Sequence, residues 1–110
     1  MAGDYTPAEV SRLHAAGDIQ LIDVRAPREH DAGHIAGTPL IELGELTARA
    51  DEIDRSRPVV FYCRSGSRSA MASQAFGQAG FDAHNMTGGM LAWDAAGLPI
   101  APEGGGVADS

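Results

Sequence analysis

Cys63 is the only cysteine in the chain, and Arg64-Ser65-Gly66-Ser67-Arg68 follows it directly. A thiol flanked by small polar residues, a glycine and two arginines suits chemistry on an anionic sulfur. The apolar run Val59-Val60-Phe61-Tyr62 leads into the cysteine. A helical pattern follows the loop, with Met71, Ala72, Ala75, Phe76 and Ala79 predicted on one face. Strand, tight loop and helix start is the arrangement that turns unpaired backbone N–H groups toward an anion. A thiol in that field favours its thiolate form, the nucleophilic one. The competing reading of a lone cysteine is a small buried hydrophobe. Arg-Ser-Gly-Ser-Arg immediately after it argues for reactivity instead. Arg64 and Arg68 would hold an anionic donor by charge-assisted hydrogen bonds; the alternative for both is a solvated surface pair.

Asp23 and Arg25 end the apolar run that starts at Ile19. The C-terminal end of a strand is where open α/β sheets place their sites. Asp23 is expected to hold loop N–H groups and not to catalyse, because an acid beside a thiolate opposes its ionisation. His30 and His34 are four residues apart, a spacing zinc-binding helices use. Gly33 interrupts a helix between them, and no third ligand is near in sequence. No metal and no cofactor are therefore expected, and His34 reads as a hydrogen-bonding residue in a glycine-flanked turn. His84 could pair with Cys63 in a hydrolase-type dyad, but no third residue is evident to orient it.

These residues need elements to hold them. Thr6-Pro7-Ala8-Glu9 predicts a capped helix start with proline in the first turn, and Gly17 predicts its stop. Ile19–Val24 is nearly continuous in apolar character, as in a strand covered on both faces. Pro27–Asp31 reads as a short helical turn and Pro39–Ile41 as a short strand. Leu43, Leu46, Ala50 and Ile53 form a helical stripe. Phe81–Asn85 reads as a further short strand. Gly88-Gly89 opens a last helix carrying Leu91 and Trp93 and stopped by Gly97 and Pro99. Strands alternating with helices predict an α/β fold, a mainly parallel sheet with helices on both faces.

The chain has 110 residues, enough for one domain with a modest core. Its formal net charge of -7 argues against nucleic-acid binding. It also repels an anionic substrate at long range, so Arg64 and Arg68 would have to reverse the potential locally. One cysteine forbids an internal disulfide, which fits a reducing compartment. No signal peptide and no run of about twenty apolar residues is visible. A cytoplasmic location without membrane contact is expected. Residues 1–101 read as one domain, and 102–110, PEGGGVADS, have the composition of a flexible tail.

Four segments together carry a family resemblance: LIDVR from Leu21, EHDAGHIAG from Glu29, CRSGSRS from Cys63 and GGMLAW from Gly88. In order and spacing they resemble a single-domain rhodanese, a sulfurtransferase, over roughly Pro7 to Ile100. The resemblance implies a rhodanese-like three-layer sandwich. It implies that Cys63 is the catalytic cysteine, accepting a sulfane sulfur to become a persulfide. Arg64, Ser65, Gly66, Ser67 and Arg68 match the loop that cradles it. Asp23, Arg25 and His34 match a first, mainly structural signature; Gly88, Gly89 and Trp93 match a second. The sequence departs from the family's pattern at Ala36 and at Thr38-Pro39-Leu40, both in one turn.

The implied reaction is two half-reactions. Thiolate Cys63 takes sulfur from thiosulfate or a related persulfide donor, small molecule or protein-bound, and passes it to cyanide or a thiol. Two rivals have related folds. Cysteine-dependent phosphatases and arsenate reductases use Cys-x5-Arg, whereas here Ser69 stands six residues after Cys63 and the arginine comes one earlier. A non-catalytic rhodanese-like binding module is the other, against which the intact cysteine loop speaks.

Overall fold

A computed structural model describes residues 3–109. Helix α1 spans Pro7–Ala15, strand β1 Gln20–Asp23, helix α2 Pro27–Ala32, strand β2 Val59–Tyr62, helix α3 Ser67–Gln78, strand β3 Ala83–Asn85 and helix α4 Gly89–Ala95. Two short 3-10 turns, Leu43–Glu45 and Ala50–Glu52, lie between α2 and β2.

The predicted capping box at α1 is formed. The Glu9 amide donates to Thr6 Oγ1 at 3.2 Å, and the Thr6 amide donates to the Glu9 carboxylate at 2.9 Å. Each bond satisfies a donor that would otherwise be unpaired.

The sheet runs β1-β2-β3, all parallel. Isolated parallel bridges extend it at both edges, Leu40 beside Asp23 and Tyr5 beside Met86. The predicted strand Pro39–Ile41 thus contributes only one bridge. As the central strand, β2 is buried along its whole length, and its side chains sort by parity. Val59 and Phe61 join Ile22, Val24, Leu46, Ile53, Ala72, Phe76 and Phe81 on one face. Val60 and Tyr62 join Val10, Leu21, Met86, Met90 and Trp93 on the other. This is the expected α/β sandwich: α3 and the 3-10 turns on one face, α1 and α4 on the other. Removing each large apolar side chain from water contributes about 1.5–3 kcal/mol before entropy is charged. By the same parity Cys63 continues on the α3 side.

Two expectations differ from what is found. Leu43, Leu46, Ala50 and Ile53 do not lie on one α-helix. Their backbone makes i to i−3 bonds, Leu46 to Leu43 and Ile53 to Ala50, while the Leu43 amide is tied to the Val24 carbonyl of the sheet. Spacings of three and four suit either helix type, and only Leu46 and Ile53 are buried. The buried face of α3 is Ser69, Ala72 and Phe76, whereas Met71 is 60% exposed. Ser69 must face the cysteine sulfur, and that fixes the helix's rotation. Residues that follow Ile100 make contacts with the domain. Ala101 exchanges two 2.8 Å backbone bonds with His34, the Gly106 amide donates to Ala32, and Val107 packs against the α1–α4 core. Among the described residues, no helix is long and apolar enough to cross a membrane.

Candidate active site

Cys63 stands one residue beyond β2 and is fully buried. Its Sγ receives the Gly66 amide at 3.1 Å, the Ser69 amide at 3.4 Å and approaches the Ser69 hydroxyl at 3.3 Å. The chain turns around the sulfur because Gly66 adopts φ +100, a left-handed conformation that costs glycine little. Helix α3 starts at the next residue, so its first N–H groups face the same space. Among the described residues, the amides of Arg64, Ser65, Ser67 and Arg68 have no partner and remain available to an anion.

A second layer fixes this loop. Ser69 Oγ hydrogen-bonds Asn85 Oδ1 at the end of β3, and Asn85 Nδ2 donates to the Gly66 carbonyl at 3.2 Å. From below, α4 holds the strand–loop junction: the Met90 and Leu91 amides donate to the Cys63 and Arg64 carbonyls at 2.9 and 3.0 Å. Gly89 has φ +57, and a Cβ there would stand 2.5 Å from the Cys63 carbonyl oxygen. Only glycine fits that approach.

The arginines are engaged with acids. Arg68 forms a two-pronged pair with Glu29 at 2.8 and 2.9 Å. The Arg68 hydrogen bonds outweigh burial and, with the Ala26 amide, hold the Glu29 carboxyl below its ordinary 4.5. Arg64 Nε donates to the Ala108 carbonyl at 3.2 Å, and its Nη2 lies 3.4 Å from the Asp109 carboxylate.

Asp23 and Arg25 form a buried pair at 2.8 Å, and the Arg25 amide also donates to Asp23 Oδ1. Arg25 reaches on to the Gly33 carbonyl, tying β1 to the end of α2. Its guanidinium stands 5.7 Å from the centre of the Tyr62 ring. His30 Nδ1 lies 2.9 Å from Asp23 Oδ2, and its ring stacks on that of His34, whose Nδ1 contacts the His30 carbonyl. Among the described residues no cluster of three or more acidic, histidine or cysteine side chains has metal-binding geometry.

The fold therefore brings Cys63, Arg64, Ser65, Gly66, Ser67 and Arg68 together as one loop. It places Asp23, Arg25 and His34 in a separate network under α2, with Asp23 and Arg25 buried and His34 half-buried. It does not bring His84 to the sulfur: the two His84 ring nitrogens contact the Gly3 carbonyl and Asp82. Sequence reasoning missed Ser69, Asn85 and Glu29. Ser69 carried a signal, since it occupies the position where the longer phosphatase loop has arginine. Asn85 and Glu29 carried none, because their roles depend on partners far away in sequence.

The Rhodanese-like domain family profile matches residues 6–96. A sulfurtransferase of Allochromatium vinosum is 41% identical over 95 residues, covering 84% of this chain and 89% of that protein. The HTH-type transcriptional regulator Rv0324 of Mycobacterium tuberculosis is 41% identical over 107 residues, covering 92% of this chain, which spans only 47% of the regulator's length. A rhodanese-related protein from Thermoplasma volcanium superposes with TM-score 0.83 at 26% identity, over 89% of this chain and 96% of that one. A Rhodopseudomonas palustris protein of unknown function, described as a possible tyrosine phosphatase, does so with TM-score 0.79 at 31% identity, over 90% and 84%. With its cysteine loop between a central parallel strand and a helix start, and a profile match across nearly all of its length, the chain belongs to the Rhodanese-like domain family.

Proposed function

We propose that the chain is a sulfurtransferase that moves a sulfane sulfur through a persulfide on Cys63. The donor is thiosulfate or a persulfide, small or carried on a protein, and the acceptor is a thiol or, in an assay, cyanide. The observation that carries this reading is the set of donors around one sulfur: the Gly66 amide, the Ser69 amide and the Ser69 hydroxyl. Fixed N–H dipoles stabilise a thiolate and then a persulfide anion without having to reorganise, and the Ser69 hydroxyl can turn its proton to the sulfur. The A. vinosum sulfurtransferase among the relatives is one that supports the same assignment.

In the first half-reaction Cys63 Sγ attacks the outer sulfur of the donor. The Sγ–S bond forms, the donor's S–S bond breaks, and sulfite or a thiolate leaves with the electron pair. In the second, the acceptor attacks the outer sulfur, and Cys63 leaves as thiolate. The free amides of Arg64, Ser65, Ser67 and Arg68 would cradle the transferred sulfur. Mass spectrometry after incubation with donor tests this: the native chain gains one sulfur, about 32 Da, and Cys63→Ser gains none while keeping its fold. Sulfur transfer by the serine variant would refute the assignment.

A phosphatase reading has one observation in its favour, the likeness to the R. palustris protein. Against it, Ser69 fills the place of the phosphatase arginine and its side chain is turned onto the sulfur. Amides set around one sulfur do not also encircle a tetrahedral phosphate at hydrogen-bond distance. No hydrolysis of an aryl phosphate is expected; turnover as fast as sulfur transfer would reverse the ranking.

A further inference from the structure

A carboxylate accompanies each of the two loop arginines, closely at Arg68 and loosely at Arg64, where Asp109 is fully exposed, and a third pair lies in the neighbouring network under α2. Glu29, with its side chain only 2% exposed, takes both prongs of Arg68. Asp23, fully buried, takes Arg25, and Asp109 stands against Arg64. The field at Arg68 includes the charges of Cys63 and Asp23 as well as Glu29. Once Cys63 ionises, the loop therefore carries a negative balance, within a chain of net charge -7. Glu29 is buried while the Arg68 side chain is 31% exposed, so solvent screens this pair less than a surface pair but does screen it.

We propose that this site selects a donor of low charge, a persulfide R–S–SH, over the thiosulfate dianion, and that Glu29 sets the preference by neutralising Arg68. The inference rests on the sulfurtransferase reading and narrows it. With thiosulfate, a dianion must approach a thiolate, and a sulfite dianion must leave. With R–S–SH, Cys63 thiolate attacks the terminal sulfur, the Sγ–S bond forms, the donor's S–S bond breaks, and R–S⁻ leaves with the electron pair. The proton stays on the transferred sulfur until solvent takes it. Only backbone amides need to hold the single charge that then remains on the persulfide. Two of the five Arg68 N–H donors are committed to Glu29, whose carboxylate offsets the charge a sulfonate would need.

The test is single-turnover persulfuration of the purified chain. The two probes are thiosulfate and 2-hydroxyethyl persulfide, whose organic group is neutral, each across a series of added salt. The two donors differ in intrinsic reactivity, so the readouts are the sign of the salt effect and the change of the ratio in Glu29→Gln. Screening relieves repulsion, so the thiosulfate rate is expected to rise with salt and the persulfide rate to change little. In Glu29→Gln the thiosulfate rate relative to the persulfide rate is expected to rise about 10-fold, as Arg68 becomes available. A thiosulfate rate that falls with salt, or a ratio unchanged in Glu29→Gln, overturns the inference while leaving sulfur transfer intact. Should the variant fail to fold, the salt series on the native chain decides alone. No persulfide from either donor would overturn the sulfurtransferase reading itself, and this inference with it.

Discussion

Ser69 has one hydroxyl proton and two partners, the sulfur of Cys63 and the amide oxygen of Asn85. When Cys63 is a thiol, its S–H can donate to Ser69, which donates on to Asn85. When Cys63 is a thiolate, the same proton can turn to the sulfur. The hydroxyl can thus follow the charge state of the Cys63 sulfur without moving any heavy atom, and Asn85 is held in register for it by the Gly66 carbonyl. Ser69→Ala removes this donor and keeps the Ser69 amide. A hydrogen bond to a charged group contributes about 1.5–3 kcal/mol, so persulfuration is expected to slow by roughly 10- to 100-fold. Alkylation by a neutral reagent should slow in parallel, because both reactions start from the same thiolate. If alkylation were unchanged while sulfur transfer fell, Ser69 would be acting on the donor and not on Cys63.

At the scale of elements, the loop is a junction held by three of them: β2 ahead, α3 behind and the start of α4 beneath. Gly89 is where α4 comes closest, with the Cys63 and Arg64 carbonyl oxygens 2.5 and 2.6 Å from where a Cβ would sit. Gly89→Ala adds left-handed strain and an overlap with rigid backbone, together about 2–5 kcal/mol. A fall in the chemical-denaturation midpoint and loss of transfer activity are expected together; an unchanged midpoint would mean the α4 start can move away. Much of this junction was legible in the sequence. An apolar run, a cysteine loop and a helix pattern name β2, the site and α3 without further help. The rotation of α3 was not legible, because Met71, Ala75 and Ala79 are as apolar as Ala72 and Phe76, and only the sulfur's demand on Ser69 chooses between faces. The 3-10 turns were misread for a related reason: spacings of three and four do not separate 3-10 from α, and the sheet bond from Leu43 does. Glu29 was illegible as a site residue because its partner Arg68 lies 39 positions away.

The whole molecule depends on this long-range pair as well, since Glu29 joins α2 to the first turn of α3 across the site. The Arg68 hydrogen bonds, working against burial and aided by the Ala26 amide, hold the Glu29 carboxyl below its ordinary 4.5. A carboxyl depressed in the folded state binds its proton more readily when unfolded. The stability it contributes is therefore complete above pH 4.5 and is lost as pH falls through the lower folded value. Glu9, Glu52 and Asp54 are depressed too, by bonds to Thr6, Arg49 and Ser56, but Glu52 and Asp54 are exposed and Glu9 half-exposed, so solvent screens their pairs. Glu29 should then contribute to the acid limb of the stability curve. Denaturant midpoints measured from pH 7 down to pH 3 should be flat at first and fall below about 4.5 in the native chain. Glu29→Gln should start lower at pH 7, by about 1.5–3 kcal/mol for the lost charged hydrogen bonds, and should then fall less steeply, so that the two curves converge in acid. Parallel curves would show that carboxylates elsewhere carry the acid sensitivity, and that the Glu29–Arg68 pair shapes the field at Cys63 without holding α2 to α3.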